Sequence, residues 1–214
     1  MANKATNEHI PLEVLFGNPE KTSLRISPDG RKLAYIAPHE GVLNVWIAPL
    51  GDFPALPILG EANPVTIDTG RGIRGCFWQN DSKHILYAQD TGGDENWQLY
   101  QTNTDTKETR SLTPFDGVQT QIVAVDRHVE DEILIALNKD DPALHDVYRL
   151  NLLTGTLMLE AKNPGNIIGW LADGSLRVLA ALAARSDGGW DVLTRDDPTA
   201  QFWHAISWSA GDSF

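Results

Sequence analysis

Residues 91–97 read TGGDENW, and this turn carries the densest grouping of chemically capable side chains in the chain. Asp94, Glu95, Asn96 and Trp97 occupy four consecutive positions between two apolar runs. A carboxylate held on a tight polar turn could attract the free amino terminus of a peptide, because a nearby opposite charge stabilises an ammonium. The structural alternative is a turn in which Asp and Asn bond local backbone while Trp97 packs against the next unit. Upstream, Arg71 and Arg74 could balance that acidity or meet a substrate carboxylate, and the residues alone leave both readings open. The spacing assigns no catalytic set, no metal ligands and no cofactor.

Other motifs fail the test of context. GRGIRG (70–75) matches G-x-G-x-x-G, but a dinucleotide site needs it to follow a strand and open a helix. Here CFWQNDSKHILY follows, which reads as strand, turn and strand. The final residues, Gly211-Asp212-Ser213-Phe214, begin like a nucleophile elbow without its closing glycine, helix, or downstream Asp and His. None of the six histidines stands at metal-ligand spacing, and no D-x-D-x-D-G calcium loop occurs. The single cysteine, Cys76 beside Phe77 and Trp78, reads as a small buried apolar residue and rules out an internal disulfide.

The elements that must position these residues are strands. Sixteen short runs rich in β-branched and aromatic residues are legible: 24–27, 32–38, 42–50, 64–68, 74–79, 84–90, 97–103, 109–113, 122–127, 132–138, 147–152, 156–161, 167–172, 176–182, 189–194 and 202–208. PDG, NDS, TGGDEN, HVED, ADGS and SDGG bound them. LRVLAALAAR (176–185) is the best helix candidate, yet its flanking turns fit a hairpin strand better. The phrase SPDGRKLAY (27–35) returns as QNDSKHILY (79–87). Leu33, Ile85, Ile133 and Leu176 recur every 43–52 residues, and Trp46, Tyr100 and Tyr148 keep a similar period. That period fits a four-stranded β-propeller blade, with the aromatics packing between neighbouring blades.

The expectation is therefore an all-β propeller of about four blades, at 21–70, 71–120, 121–165 and 166–214, behind an N-terminal extension at 1–20. Closed rings usually hold six to eight blades, so the four belong to a larger ring, and the chain reads as part of something longer. The 214 residues carry a net charge of −12, which disfavours nucleic acid and anionic membrane as partners. No stretch of 18 apolar residues and no signal-peptide pattern is present, which makes the cytoplasm the default location.

LRISPDGRKLAYIAP with NVWIAPLG resembles the first propeller blade of the prolyl oligopeptidase family of serine peptidases, in its acylaminoacyl-peptidase and dipeptidyl-aminopeptidase-like branch. The segment from Ile73 to Phe115, with TGGDENWQLY at its centre, is similar to that branch's second blade and is the more specific match. The resemblance covers about residues 11–214 and weakens after 125. It implies a propeller that filters short peptides above an α/β-hydrolase domain, with the catalytic Ser, Asp and His in that domain and none in this chain. The competing expectation is a non-catalytic interaction or ligand-binding propeller completed by self-association.

Overall fold

The computed structural model describes residues 11–12, 19–51 and 60–211. The N-terminal extension expected at 1–20 falls mostly outside these residues, as does Ser213. Four antiparallel four-stranded sheets account for all sixteen strands among the described residues. Blade I holds β1 (Thr22–Ile26), β2 (Lys32–His39), β3 (Val42–Pro49) and β4 (Asn63–Pro64). Blade II holds β5 (Phe77–Trp78), β6 (His84–Gln89), β7 (Gln98–Asn103) and β8 (Thr109–Ser111). Blade III holds β9 (Thr120–Ala124), β10 (Glu132–Asp141), β11 (Leu144–Asn151) and β12 (Leu157–Ala161). Blade IV holds β13 (Ile167–Ala172), β14 (Val178–Ala184), β15 (Trp190–Thr194) and β16 (Trp203–Trp208).

In every blade the strands pair in chain order. β1 approaches β5, and β9 approaches β13, so first strands lie on the inner side of the ring and fourth strands on its rim. Because direction alternates, the first-to-second-strand turns gather at one end of the ring. The second-to-third-strand hairpins and the blade-to-blade linkers gather at the other. TGGDENW and the linker carrying Arg71 and Arg74 therefore share an end.

The turns at the first end repeat one device. A carboxylate accepts backbone N–H groups just before the second strand: Asp29 from Arg31 (3.0 Å), Asp81 from Lys83 (2.9 Å) and His84 (3.0 Å), and Asp173 from Ser175 (3.0 Å) and Arg177 (2.8 Å). Each is an Asx-type turn that satisfies donors the ladder leaves free. The two aromatic series of the sequence are cross-strand neighbours, since Tyr35 pairs with Trp46 and Tyr87 with Tyr100. The second pair stacks with ring centroids 5.5 Å apart.

Alternation along β2, β6, β10 and β14 gives each sheet two apolar faces, and the blades bury them against one another. Ile36, Val45 and Ile47 meet Trp78, Ile85 and Tyr87 between blades I and II, with Tyr100 packed alongside. Leu86 and Leu99 meet Ile133, Ile135 and Tyr148 between II and III. Leu134 and Val147 meet Leu176 and Val178 between III and IV. At about 1.5–3 kcal/mol per fully buried side chain, these seams dominate the stability.

Polar bonds set their register. Trp78 Nε1 donates to the Arg25 carbonyl (3.0 Å), and Asn80 Nδ2 donates to the carbonyls of Asp126 (2.7 Å) and Val129 (2.9 Å). Arg149 donates to the Leu176 carbonyl (2.6 Å), and Trp170 Nε1 to that of His145 (3.1 Å). Cys76 is buried in the first seam, where burial pushes its thiol up to about 12 and leaves it a packing residue.

Three sequence expectations need correction. The runs 64–68 and 74–79 contribute only Asn63–Pro64 and Phe77–Trp78 to the sheets. Beyond Val65, whose N–H still donates to the Val45 carbonyl (2.9 Å), side chains replace the ladder: Thr66 Oγ1 accepts from Val45 N (2.9 Å), and Asn44 Oδ1 accepts from Thr66 Oγ1 and Asp68 N. Leu176 lies in the turn before β14, at φ 57°, because the Asp173 turn delays the strand to Val178. Trp46 packs with Tyr35 on the face of blade I that meets no other described blade, unlike Tyr100 and Tyr148. Within the run 176–185, Val178–Ala184 is a strand and not a helix, as the flanking turns imply.

Candidate functional site

The β6–β7 hairpin spans Asp90 to Trp97 and is shaped by left-handed backbone. Gly92 and Gly93 have φ of 64° and 89°, and Glu95 adopts 59°, an uncommon conformation for a residue with a side chain. Asp94 accepts bonds from Asn96 N (3.1 Å), Asn96 Nδ2 (3.1 Å) and Thr91 N (3.3 Å). The Asn96 side-chain bond first, then the backbone donors, hold its carboxyl below the usual range, so it is ionised at neutral pH. Glu95 is exposed, and its carbonyl accepts from Gln119 Nε2 (3.1 Å). The Trp97 carbonyl accepts from Thr120 N (2.8 Å), which ties the hairpin to the start of blade III.

Arg71 joins this hairpin from the linker. Its Nε lies 3.4 Å from Asp90 Oδ1, and the Asp90 side chain is only 2% exposed. Asp90 Oδ2 also accepts from Glu95 N (3.3 Å), so one buried carboxylate orients both the arginine and the turn. A Cβ on Gly93 would stand 2.7 Å from Arg71 Nη1, so any side chain here would displace the guanidinium from its path across the turn. Arg74 is exposed on the same linker, apart from the Arg71–Asp90 pair. Arg71 thus meets Asp90 rather than the Asp94 and Glu95 carboxylates that the sequence singled out.

A shallow cleft beside the hairpin is lined by Asp68, Arg71, Gln89, Asp90 and Tyr100 among others. Asp68 Oδ2 accepts from Gly72 N (2.6 Å), the turn that GRGIRG forms in place of a dinucleotide loop. In this lining Asp68 and Asp90 outnumber Arg71, and Asp94 and Glu95 lie on the adjoining hairpin. The local field therefore favours a cation, and an ammonium group is its chemical match.

Sequence reading overlooked Asp90 and Gln119. Asp90 was visible only as the last residue of an apolar run, and Gln119 carries no motif. It also overlooked Asp191, His204 and Ser207, which meet on blade IV. Ser207 Oγ lies 2.6 Å from both His204 Nε2 and Asp191 Oδ1. Asp191 lies 3.6 Å from that same ring nitrogen. A serine relay needs the carboxylate on the imidazole nitrogen remote from the serine, so this cluster is a hydrogen-bonded strand pair. Among the described residues, no three His, Cys, Asp or Glu side chains gather as a metal site.

No family model matches the sequence. The chain is 41% identical over 191 residues to dipeptidyl aminopeptidase BIII of Pseudoxanthomonas mexicana, covering 89% of this chain and 27% of that protein. It is 31% identical over 192 residues to dipeptidyl peptidase family member 6 of Caenorhabditis elegans, covering 84% of this chain and 24% of that protein. A solved prolyl endopeptidase structure superposes with a TM-score of 0.59 at 13% identity, over 90% of this chain and 28% of that one, a likeness of fold alone. The chain thus spans about a quarter of the length of the curated relatives it matches.

Proposed function

We propose, from the premise that this chain belongs to the prolyl oligopeptidase family of serine peptidases and forms part of its β-propeller, that it controls which peptides reach a hydrolase domain. The 41% identity to a dipeptidyl aminopeptidase, confined to the propeller part, is the observation that carries this reading. The acidic hairpin end supplies the chemistry. Asp94 and Glu95 draw in the free ammonium of a short peptide, with Asn96 and Trp97 shaping the turn. Arg71 and Arg74 keep the acidity from trapping it. The serine chemistry belongs to an α/β-hydrolase domain in the same polypeptide, the partner this reading requires.

Binding of Ala-Ala dipeptide to the 214-residue chain, followed by NMR of the 90–97 backbone amides, tests it. The free dipeptide is expected to shift these amides, and its N-acetyl form to bind about tenfold more weakly, the scale of one lost charge-assisted bond. Equal binding of the two, or no binding, overturns the ammonium reading. Turnover of aminoacyl-nitroanilides by this chain alone would overturn the placement of catalysis elsewhere.

A second reading is favoured by one observation. The outward faces of blades I and IV are apolar: Leu24 and Ile26 are 53% and 64% exposed near Tyr35 and Trp46, and Trp203 and Ile206 are 52% and 58% exposed. Two copies pairing blade I on blade IV would bury both faces twice in an eight-bladed ring. Light scattering that finds a dimer supports this self-association, and a strictly monomeric folded chain overturns it.

A further inference from the structure

Four aspartates of this chain precede a glycine: Asp29, Asp116, Asp173 and Asp187. In such a pair the glycine nitrogen can attack the aspartate side-chain carbonyl carbon, because glycine has no Cβ to obstruct the approach and the widest choice of backbone conformations. Ring closure forms the N–Cγ bond and expels the carboxyl hydroxyl with the amide proton as water, which leaves a succinimide. Water then reopens the ring. Attack at the main-chain carbonyl gives isoaspartate, in which the backbone runs through the former side chain and gains one carbon. The reaction needs a carboxyl able to lose its hydroxyl and a nitrogen free to reach it.

Three of the four pairs are tied down. Asp29 Oδ1 accepts from Ser27 Oγ (2.6 Å) and Arg31 N (3.0 Å), and Gly30 N donates to the Ser27 carbonyl (2.9 Å). Asp173 accepts from Arg177 Nε (2.8 Å) as well as from the N–H groups of Ser175 and Arg177. Asp187 accepts from Arg185 Nη2 (2.7 Å) and Nε (3.0 Å) and from Gly189 N (3.0 Å), while Gly188 N donates to the Arg185 carbonyl (3.1 Å). The Ser27 hydroxyl, the Arg177 guanidinium and the Arg185 guanidinium lead in holding these carboxyls below the usual range. They stay ionised, and a carboxylate is a poor electrophile.

Asp116 differs on every count. Among the described residues, its carboxyl and the Gly117 nitrogen enter no hydrogen bond or ion pair. Both residues are exposed, and Gly117 sits at φ 69° with open space where a Cβ would stand. The chain on either side is fixed. Leu112 N donates to the Leu99 carbonyl (2.8 Å), and Phe115 N to that of Thr113 (2.8 Å). Val118 is buried in the seam between blades II and III, and Gln119 N donates to Asn138 Oδ1 (2.7 Å). Gln119 and Thr120 then make the two bonds that reach the hairpin, to the carbonyls of Glu95 and Trp97. An extra backbone carbon between such anchors has to be taken up by the bonds next to it.

We propose that Asp116 is a site of spontaneous isoaspartate formation in the folded chain, with the Gly117 nitrogen as nucleophile. The product loosens the Gln119–Glu95 and Thr120–Trp97 bonds that hold the hairpin to blade III. The modification is independent of peptide gating, and only its effect on the hairpin bears on that reading.

The test is to age the 214-residue chain at neutral pH and body temperature, folded in one sample and unfolded in urea in another. Isoaspartyl methyltransferase with a radiolabelled methyl donor then marks isoaspartate, and peptide mapping locates the label. In urea all four pairs are expected to take label. In the folded chain the Asp116 peptide is expected to carry most of it, and Asp116→Glu to lose it, since closure on a glutamate needs a larger ring that forms slowly. No label at Asp116 in the folded chain, or label spread evenly over the four pairs, overturns the site. The Glu95, Gln119 and Thr120 amides are expected to shift in step with the label, and unchanged amides in the labelled chain overturn the loosening of the hairpin.

Discussion

β10 and β16 are apolar strands of the same fold that meet opposite surroundings. In β10, Ile133, Leu134, Ile135, Ala136 and Leu137 are all withdrawn from water, because blade II covers one face and blade IV the other. In β16, Trp203 and Ile206 remain more than half exposed. Composition does not separate the two strands, since both mix aliphatic or aromatic residues with polar ones. What separates them is the place of their blade in the stack. An interior blade draws stability from both faces, whereas a terminal blade draws it from one.

That contrast can be broken most sharply by truncation. Ile135→Ala should cost about 2–5 kcal/mol in urea denaturation, because it removes buried methylenes and leaves a cavity. Ile206→Ala should change stability by about 0.5 kcal/mol or less. If Ile206→Ala costs as much as Ile135→Ala, the blade IV face is covered in solution, and the self-associated ring gains support. Next comes the seam between blades II and III, where Asn80 bonds two carbonyls of the neighbouring blade. Asn80→Ala strands both acceptors and should cost about 1–3 kcal/mol in the same measurement.

Gly93→Ala should cost about 1 kcal/mol, since it puts a Cβ at φ 89° and against Arg71. Its diagnostic effect is on the hairpin amides around Asp90, which should shift as the guanidinium is displaced. An unchanged spectrum would show that the Arg71–Asp90 pair does not shape the turn. The smallest effect is on acid stability. Burial raises the Asp81 carboxyl, but the His84 side chain and the N–H groups of Lys83 and His84 outweigh it, so the folded value lies below the ordinary one. The stabilisation is therefore present above the ordinary aspartate value of about 3.9 and is lost as pH falls through the lower folded value. Asp81→Asn should flatten the fall in melting temperature across that acid window, and an unchanged profile would assign it to other carboxylates.

The strands were legible because a pleated strand imposes a period of two, and short polar turns interrupt it at regular intervals. All sixteen runs correspond to strands, and the recurring tyrosines proved to be cross-strand partners of the second aromatic series. The ends of β4 and β5 were less legible. There Asn44 and Thr66 bond backbone in place of a neighbouring strand, and no local pattern announces such a substitution. The hairpin residues Asp94 to Trp97 stood out by composition. Arg71's attachment to it depends on Asp90, whose role comes from burial that a terminal strand residue does not advertise.

From the sequence alone came the repeating unit, its turns, the acidic hairpin and the likeness to a peptidase propeller. Those features follow from local geometry, in which each residue's neighbours along the chain decide its conformation. The tertiary structure decided which apolar faces are sealed, which arginine meets which carboxylate, and which Asp-Gly pair is left untied. Alternation states that a strand has two faces but not what stands opposite each. That is settled only when blades separated by some fifty residues of chain come together, on the scale of one blade repeat.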